Sequence, residues 1–341
     1  MEEKINQIRL TSAELGQLWT QYLNDSASVC FLTYFAEKAE DSEIKNIVEH
    51  ALKLSEVHIQ KITSIFNEES HAIPNGFKIE EDVDLTAPRL YSDSFVLNFV
   101  HNMAKIGLTS YSGSLSVAVR EDITEFYMDC LSETKQLYKM SKDLLLSKGL
   151  YIRAPYFPNL EHNEFVKKQG FLWDVFGEKR PLIALEVSNL YSNVQRNAIG
   201  AATLVGFSQV AQDEKVKQFL LRGIKIARKH IKSFGSKLEE SYLTIPMTWD
   251  TDITNNTTET FSDKIMMFYT SGLIALSIGY YGISLAQSPR VDIGILYNKL
   301  SVEIQLYSED GANIMIQNKW LEQPPMASDR DELARKNNPN M

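Results

Sequence analysis

Cysteine is nearly absent: Cys30 and Cys130 are the only two in 341 residues. Two thiols that far apart build neither a disulfide framework nor a thiolate metal site. Positive charge is also short, with 35 Lys and Arg against 44 Asp and Glu, a net charge of −9. A dedicated nucleic-acid binder needs a basic footprint to neutralise phosphates, and this balance argues against one. No phosphate loop, dinucleotide fingerprint or nucleophile elbow occurs, and no Ser/His/Asp arrangement follows from spacing. The start, Met-Glu-Glu-Lys-Ile, lacks a basic region followed by an apolar run, so no secretory signal is expected. Long hydrophobic runs are missing with one exception. The stretch 265–289 carries no charge, but serine, threonine, glycine and tyrosine dilute it. It is expected to be a fully buried bundle helix rather than a membrane span. With 44% apolar residues, the chain has enough length and composition for about two globular domains.

What is present is a repeat. Shifted by 172 residues, 10–77 lies on 182–249 without a gap; shifted by 170, 91–155 lies on 261–325. His58-Ile59 meets His230-Ile231, Ile73-Pro74 meets Ile245-Pro246, and Ser92-Asp93 meets Ser262-Asp263. Arg120, Asp122, Tyr127 and Glu133 meet Arg290, Asp292, Tyr297 and Glu303. This is one domain written twice, not a short-period solenoid.

Each half carries four segments of helical periodicity, at 12–39, 43–70, 92–118 and 121–148, then 183–211, 213–242, 262–287 and 291–318. All ten prolines fall outside them. The first and second helices, and the third and fourth, are joined by a few residues and must form antiparallel hairpins. About twenty residues separate the second from the third. A crossover along the bundle accounts for that length better than a decorative loop on an up-down bundle. The expected fold is all-α: two tandem ferritin-like four-helix bundles at 8–155 and 182–325. A linker at 156–181 holds aromatics expected to pack against the bundles, and a polar tail at 326–341 is expected to be disordered.

Polar groups on the apolar stripes are the candidate site residues. His58 continues the stripe through Ala51, Ser55 and Ile62, and His230 does the same in the repeat. Glu133 and Glu303 sit between apolar neighbours on the fourth helices; Asp25 and its counterpart Asn197 do so on the first. All lie near mid-helix, so Asp25, His58 and Glu133 should share one layer across the bundle. One imidazole with two carboxylates suits iron, manganese or zinc, with His230 and Glu303 as a second, weaker site. The competing reading is a buried His–carboxylate pair that fixes helix register. A standard di-iron site is disfavoured, because the lone Glu-x-x-His, Glu68 to His71, falls at a helix end and is not repeated. His50, His71, His101 and His162 are unrepeated and expected on solvated faces. Gly272, Gly279 and Gly282 are expected where helices approach closely.

The second half also carries the stretches NVQRNAIG (193–200), GFSQVA (206–211), SDKIMMF (262–268), GYYGISL (279–285) and EDGANIMIQNKWLEQPP (309–325). In these it resembles the domain-of-unknown-function 3231 family, whose members often carry the domain twice. The resemblance implies a ferritin-like bundle, an origin in spore-forming Bacillus-type bacteria and likeness to spore-coat-type bundle proteins. It supplies no reaction. The expected function is therefore a non-enzymatic structural or interaction protein, cytoplasmic or spore-associated. Self-association or coat-protein partners are expected, and nucleic acid and membrane are not. The alternative is a metal-binding bundle.

Overall fold

The computed structural model describes residues 8–167, 169–172 and 179–336. Ten α-helices make up the described fold: α1 Ser12–Lys38, α2 Ser42–Glu68, α3 Ile79–Asp82, α4 Asp93–Leu115, α5 Glu121–Ser147, α6 Ala184–Val210, α7 Glu214–Glu239, α8 Asp263–Ala286, α9 Val291–Gln317 and α10 Arg330–Lys336. The eight long helices form two four-helix bundles, α1, α2, α4 and α5, then α6 to α9. Local chemistry sets their starts. Thr11 and Glu14 form a reciprocal capping box on α1, and Asp41, Ser92, Asp213 and Ser262 cap α2, α4, α7 and α8 with side-chain oxygens.

Hydrogen bonds at the helix ends fix the topology. Asp93, at the start of α4, accepts from the backbone N–H groups of Glu40 and Asp41 at 3.2 and 2.7 Å, so α4 begins beside the α1–α2 turn. Arg120, at the start of α5, pairs with Glu69 at the end of α2, at the opposite end of the bundle. Lys148, after α5, returns to Asp41 at 2.7 Å. The chain therefore crosses the length of the bundle between α2 and α4, as the loop length implied. The second half repeats the device: Asp263 accepts from Gln212 and Asp213, and Arg290 lies 3.7 Å from Glu240.

The two crossover segments clasp each other. Val83 pairs with Phe261 and Tyr91 with Ile253 as isolated antiparallel bridges. Ser92 Oγ donates to Asp252, and Ser262 Oγ donates to Asp82 at 2.6 Å. A shift of 170 carries Asp82 onto Asp252 and Ser92 onto Ser262, so each half gives and receives the same bond, as in an isologous dimer. Around this clasp the aromatic core is continuous between bundles. Phe99 stacks on its own counterpart, Tyr269, at 5.5 Å, and Phe31 contacts Phe207, Phe261 and Tyr269. A second, smaller core around Leu18, Ile62, Phe66, Ile123 and Phe126 fills the far end of the first bundle.

Several expectations need correction. Helix α8, which holds most of the charge-free run 265–289, is long and apolar enough to cross a membrane by composition, yet it is not wholly buried. Its first three turns sit against the first bundle, where Phe268 meets Phe77 at 4.8 Å, while Ile283 near its end is half exposed. Gly272, Gly279 and Gly282 have open space around them. Close approach occurs instead at Gly206, where a Cβ would collide with the Tyr91 hydroxyl, and at Gly223 and Gly311, filled by Tyr307 and Phe219. In the linker, Tyr156, Leu160 and Phe165 are exposed rather than packed. Phe171 lies under the Arg180 guanidinium at 4.2 Å. Trp173, Val175 and Phe176 lie outside the described residues. The tail contains α10 at 330–336, with its N-terminal Asp329 accepting from the Glu332 amide. His101 is buried, not solvated.

Candidate functional site

A polar layer crosses the middle of each bundle. In the first, α1 places Gln21 and Asp25 one turn apart on its inner face, and Gln21 Nε2 donates to Asp25 Oδ2 at 3.2 Å. α2 brings in His58, and α5 brings Cys130 and Glu133. His58 Nε2 lies 3.0 Å from Glu133 Oε2, and Nδ1 lies 3.4 Å from Asp25 Oδ2, off the hydrogen-bond line. The imidazole and Asp25 are buried, while Glu133 is 37% exposed and opens the layer to solvent. The rings of Tyr111 and Phe126 stand edge-on to His58 at 5.8 and 6.0 Å.

Burial by itself would lower the His58 pKa, but the adjoining Asp25 carboxylate outweighs it, with a further contribution from Cys130, and pushes it up to about 11. Burial pushes the Cys130 thiol up in turn. The direction of the His58 shift favours the protonated ring, which lies between Asp25 and Glu133.

The second bundle has the same layout with different chemistry. His230 Nε2 lies 3.1 Å from Glu303 Oε2, and Nδ1 lies 2.9 Å from the Tyr281 hydroxyl. Asn197 Nδ2 donates to that hydroxyl at 2.8 Å, which leaves the Tyr281 O–H to donate to Nδ1 and the Nε2–H to donate to Glu303. Here burial prevails and holds the His230 pKa below the ordinary histidine range, despite the bond to Glu303. Burial pushes Glu303 up, but hydrogen bonds from Lys229 at 2.7 Å and from His230 outweigh it and keep it below the usual range. The layer is a hydrogen-bond relay, Asn197 to Tyr281 to His230 to Glu303, and Glu303 is ion-paired with Lys229 at the surface.

The structure thus brings Asp25, His58 and Glu133 together, and His230 with Glu303, as the helix positions implied. It does not aim three ligands at one point. The carboxylates of Asp25 and Glu133 stand at the two different nitrogens of one ring, and a single cation can take only one of those nitrogens. Among the described residues no group of three or more His, Cys, Asp or Glu is arranged to hold a metal ion. The donor set as it stands does not fit a metal centre.

Two partners escaped the sequence reading. Tyr281 and its counterpart Tyr111, related by the 170-residue shift, border the histidines in both halves. Glu14 and Glu186, related by 172, are buried at the opposite end of the bundle. Glu14 accepts from the backbone N–H groups of Thr11, Val119 and Arg120 at 2.8 to 2.9 Å. Burial raises its pKa, but these bonds prevail and lower it. Glu186 likewise accepts from the backbone N–H groups of Ile183 and Arg290 at 3.0 and 3.1 Å. Polar identity under the repeat shift was the available signal. Arg120 with Asp122, and Arg290 with Asp292, bond locally beside these glutamates, as their position at the helix start implied.

Comparison with known proteins agrees with the duplication. No curated protein sequence matches the chain. A solved structure of a candidate spore coat protein from Bacillus halodurans is similar at 15% identity and a TM-score of 0.40, covering 46% of this chain and 99% of that one. The model of a family described as proteins of unknown function, DUF3231, matches residues 2–162 and again 170–333. With nearly its whole length accounted for by two copies of that domain, the chain belongs to the DUF3231 family.

Proposed function

We propose that the chain is a non-enzymatic structural or interaction protein, associated with the spore, in which the polar layers set helix register inside a rigid two-bundle unit. The observation that carries this reading is the pairing of His230: both ring nitrogens are engaged by groups of the protein itself, which leaves neither free for a substrate. The reciprocal Ser–Asp clasp supports it, because it joins the bundles around a core that runs through both. The spore association rests on the likeness of the family to spore-coat-type bundle proteins. The test is an assay of purified protein against dioxygen and peroxide, with and without added metal, beside a His230→Ala control. Wild-type turnover well above the control defeats the proposal. Fractionation of sporulating cells tests the location, and recovery from vegetative cytoplasm alone would defeat the spore assignment.

The second reading, metal binding, is favoured by the meeting of Asp25, His58 and Glu133 in one layer. It requires His58 to lose a proton and one carboxylate to swing to the other nitrogen. Elemental analysis of untagged protein grown with iron, manganese and zinc separates the two. Stoichiometric metal that is lost in His58→Ala supports this second reading, and trace metal supports the first.

A further inference from the structure

A cavity of about 120 Å³ lies between the bundles, lined by Asn98, His101 and Lys105 of α4, Gln195 and Arg196 of α6, and Trp249 of the second crossover. Its charge is out of keeping with the rest of the molecule. The other inward-leaning arginines carry carboxylate partners: Arg89 with Asp93, Arg120 with Glu69 and Asp122, Arg180 with Glu186, and Arg290 with Asp292. Neither Lys105 nor Arg196 has a carboxylate partner among the described residues. Arg196 is held in place by neutral groups, stacked 3.6 Å over the Tyr280 ring and bonded to Asn193 Oδ1 at 3.2 Å. Burial lowers the Lys105 pKa and the Arg196 charge lowers it further; burial lowers that of Arg196 as well. Two partly desolvated cations facing one space, in a chain of net charge −9, are costly unless an anion joins them.

The same wall carries an unpartnered acceptor. His101 is 3% exposed, and its Nε2 has no hydrogen-bond partner. Its Nδ1 lies 2.9 Å from Ser141 Oγ, whose own proton goes to the Leu137 carbonyl at 2.8 Å. With the Ser141 proton on the Leu137 carbonyl, Nδ1 donates to Ser141 and Nε2 is left as an acceptor without a partner. A ligand completing this wall needs negative oxygens for Lys105 and Arg196 and one O–H for His101.

We propose that this inter-bundle cavity binds a small oxyanion that carries its own hydroxyl, a hydrogen phosphate or a hydroxycarboxylate, through Lys105, Arg196 and His101 Nε2. The site is independent of the His58 and His230 layers and of the role assigned to them. Because α4 belongs to the first bundle and α6 to the second, the ligand would also bridge the two.

Isothermal titration of the full chain at low ionic strength, with inorganic phosphate, malate and sulfate as separate probes, tests the proposal. One phosphate or one malate per chain is expected, and whichever binds identifies the source chemistry. Sulfate matches phosphate in shape but lacks the hydroxyl, and is expected to bind at least tenfold more weakly. Lys105→Gln and Arg196→Gln are each expected to lose at least tenfold in affinity. Removing an unpaired cation should leave the ligand-free melting temperature of Lys105→Gln unchanged or higher, so lost binding is not lost folding. No heat from phosphate or malate at millimolar concentration overturns the proposal, as does undiminished binding in both variants. Equal affinity for sulfate removes the part given to His101.

Discussion

In the first bundle Asp25 stands beside His58; in the second Asn197 occupies the same place, and Tyr281 reaches His230 instead. Gln21 likewise becomes Asn193, and Cys130 becomes Leu300, while Glu133 and Glu303 are common to both. The imidazole, its helix and its outer glutamate are thus constant, and the inner residues, Asp25 above all, set the direction in which the ring's pKa moves. An aspartate stabilises an imidazolium in a buried site. An amide offers no charge, so the desolvated ring stays neutral and a tyrosine hydroxyl satisfies its second nitrogen. Two copies of one backbone therefore shift the same imidazole in opposite directions in the same layer.

The strongest way to break this comparison is Asp25→Ala. It leaves His58 without its inner counter-charge and should cost about 3–5 kcal/mol in urea unfolding, the range for breaking a buried pair by removing one partner. Asp25→Asn should cost less, because it converts the first layer toward the second. NMR titration of the His58 ring should then show its pKa falling from about 11 toward the ordinary range. An unchanged value in Asp25→Asn would mean that Glu133, not Asp25, holds the charge.

The clasp gives a test of symmetry. Asp82→Asn and Asp252→Asn each weaken a charged hydrogen bond across the bundles and should each cost about 1.5–3 kcal/mol. Equal losses support the isologous reading. A much larger loss at Asp82, which also accepts from the Lys78 amide at 3.0 Å, would show that the first crossover carries more of the fold.

The pH dependence separates the histidines by sign. His58 is held above its ordinary 6.5. Its contribution is complete below about pH 6.5 and is lost as pH rises through about 11. His230 is held below 6.5, so its contribution is present above that pH and is lost as pH falls from there toward its folded value. His230→Gln should flatten the acid limb of the stability profile by up to about 1.4 kcal/mol per pH unit. His58→Gln should alter the alkaline limb instead.

The smallest effect concerns glycine. Gly272→Ala should stabilise by about 0.5–1 kcal/mol, since it meets no neighbour and sits in a helix interior. Gly206→Ala should do the reverse, as it strikes the Tyr91 hydroxyl that donates to the Thr203 carbonyl at 2.7 Å. Thermal melts of the two variants should shift in opposite directions.

Much of the architecture was legible before any coordinates. Ungapped self-alignment, helical periodicity and proline exclusion are local properties, and together they placed eight helices and the duplication. The crossover followed from loop length, and helix rise alone put Asp25, His58 and Glu133 in one layer. Other features resisted for a physical reason. His101 lacks a counterpart under the repeat shift; what buries it is a set of contacts with Tyr138, Ser141 and Tyr151, which only the folded bundle brings to it. The charge-free run 265–289 pointed to full burial, whereas α8 divides its apolar surface between its own bundle, where Tyr281 meets Phe234 and Tyr297, and the first bundle, where Phe268 meets Phe77, and leaves Ile283 half exposed.

By itself, then, the sequence determined what depends on near neighbours along the chain: helices, caps, the repeat, and which polar groups face inward. Tertiary structure decided what depends on residues brought in from other helices. That covers the protonation state of each histidine, the exchange of bonds between crossovers, and the cavity where Lys105 and Arg196 meet without a carboxylate. Charge state and complementarity are properties of a surrounding, and the surrounding exists only once the two bundles have closed on each other.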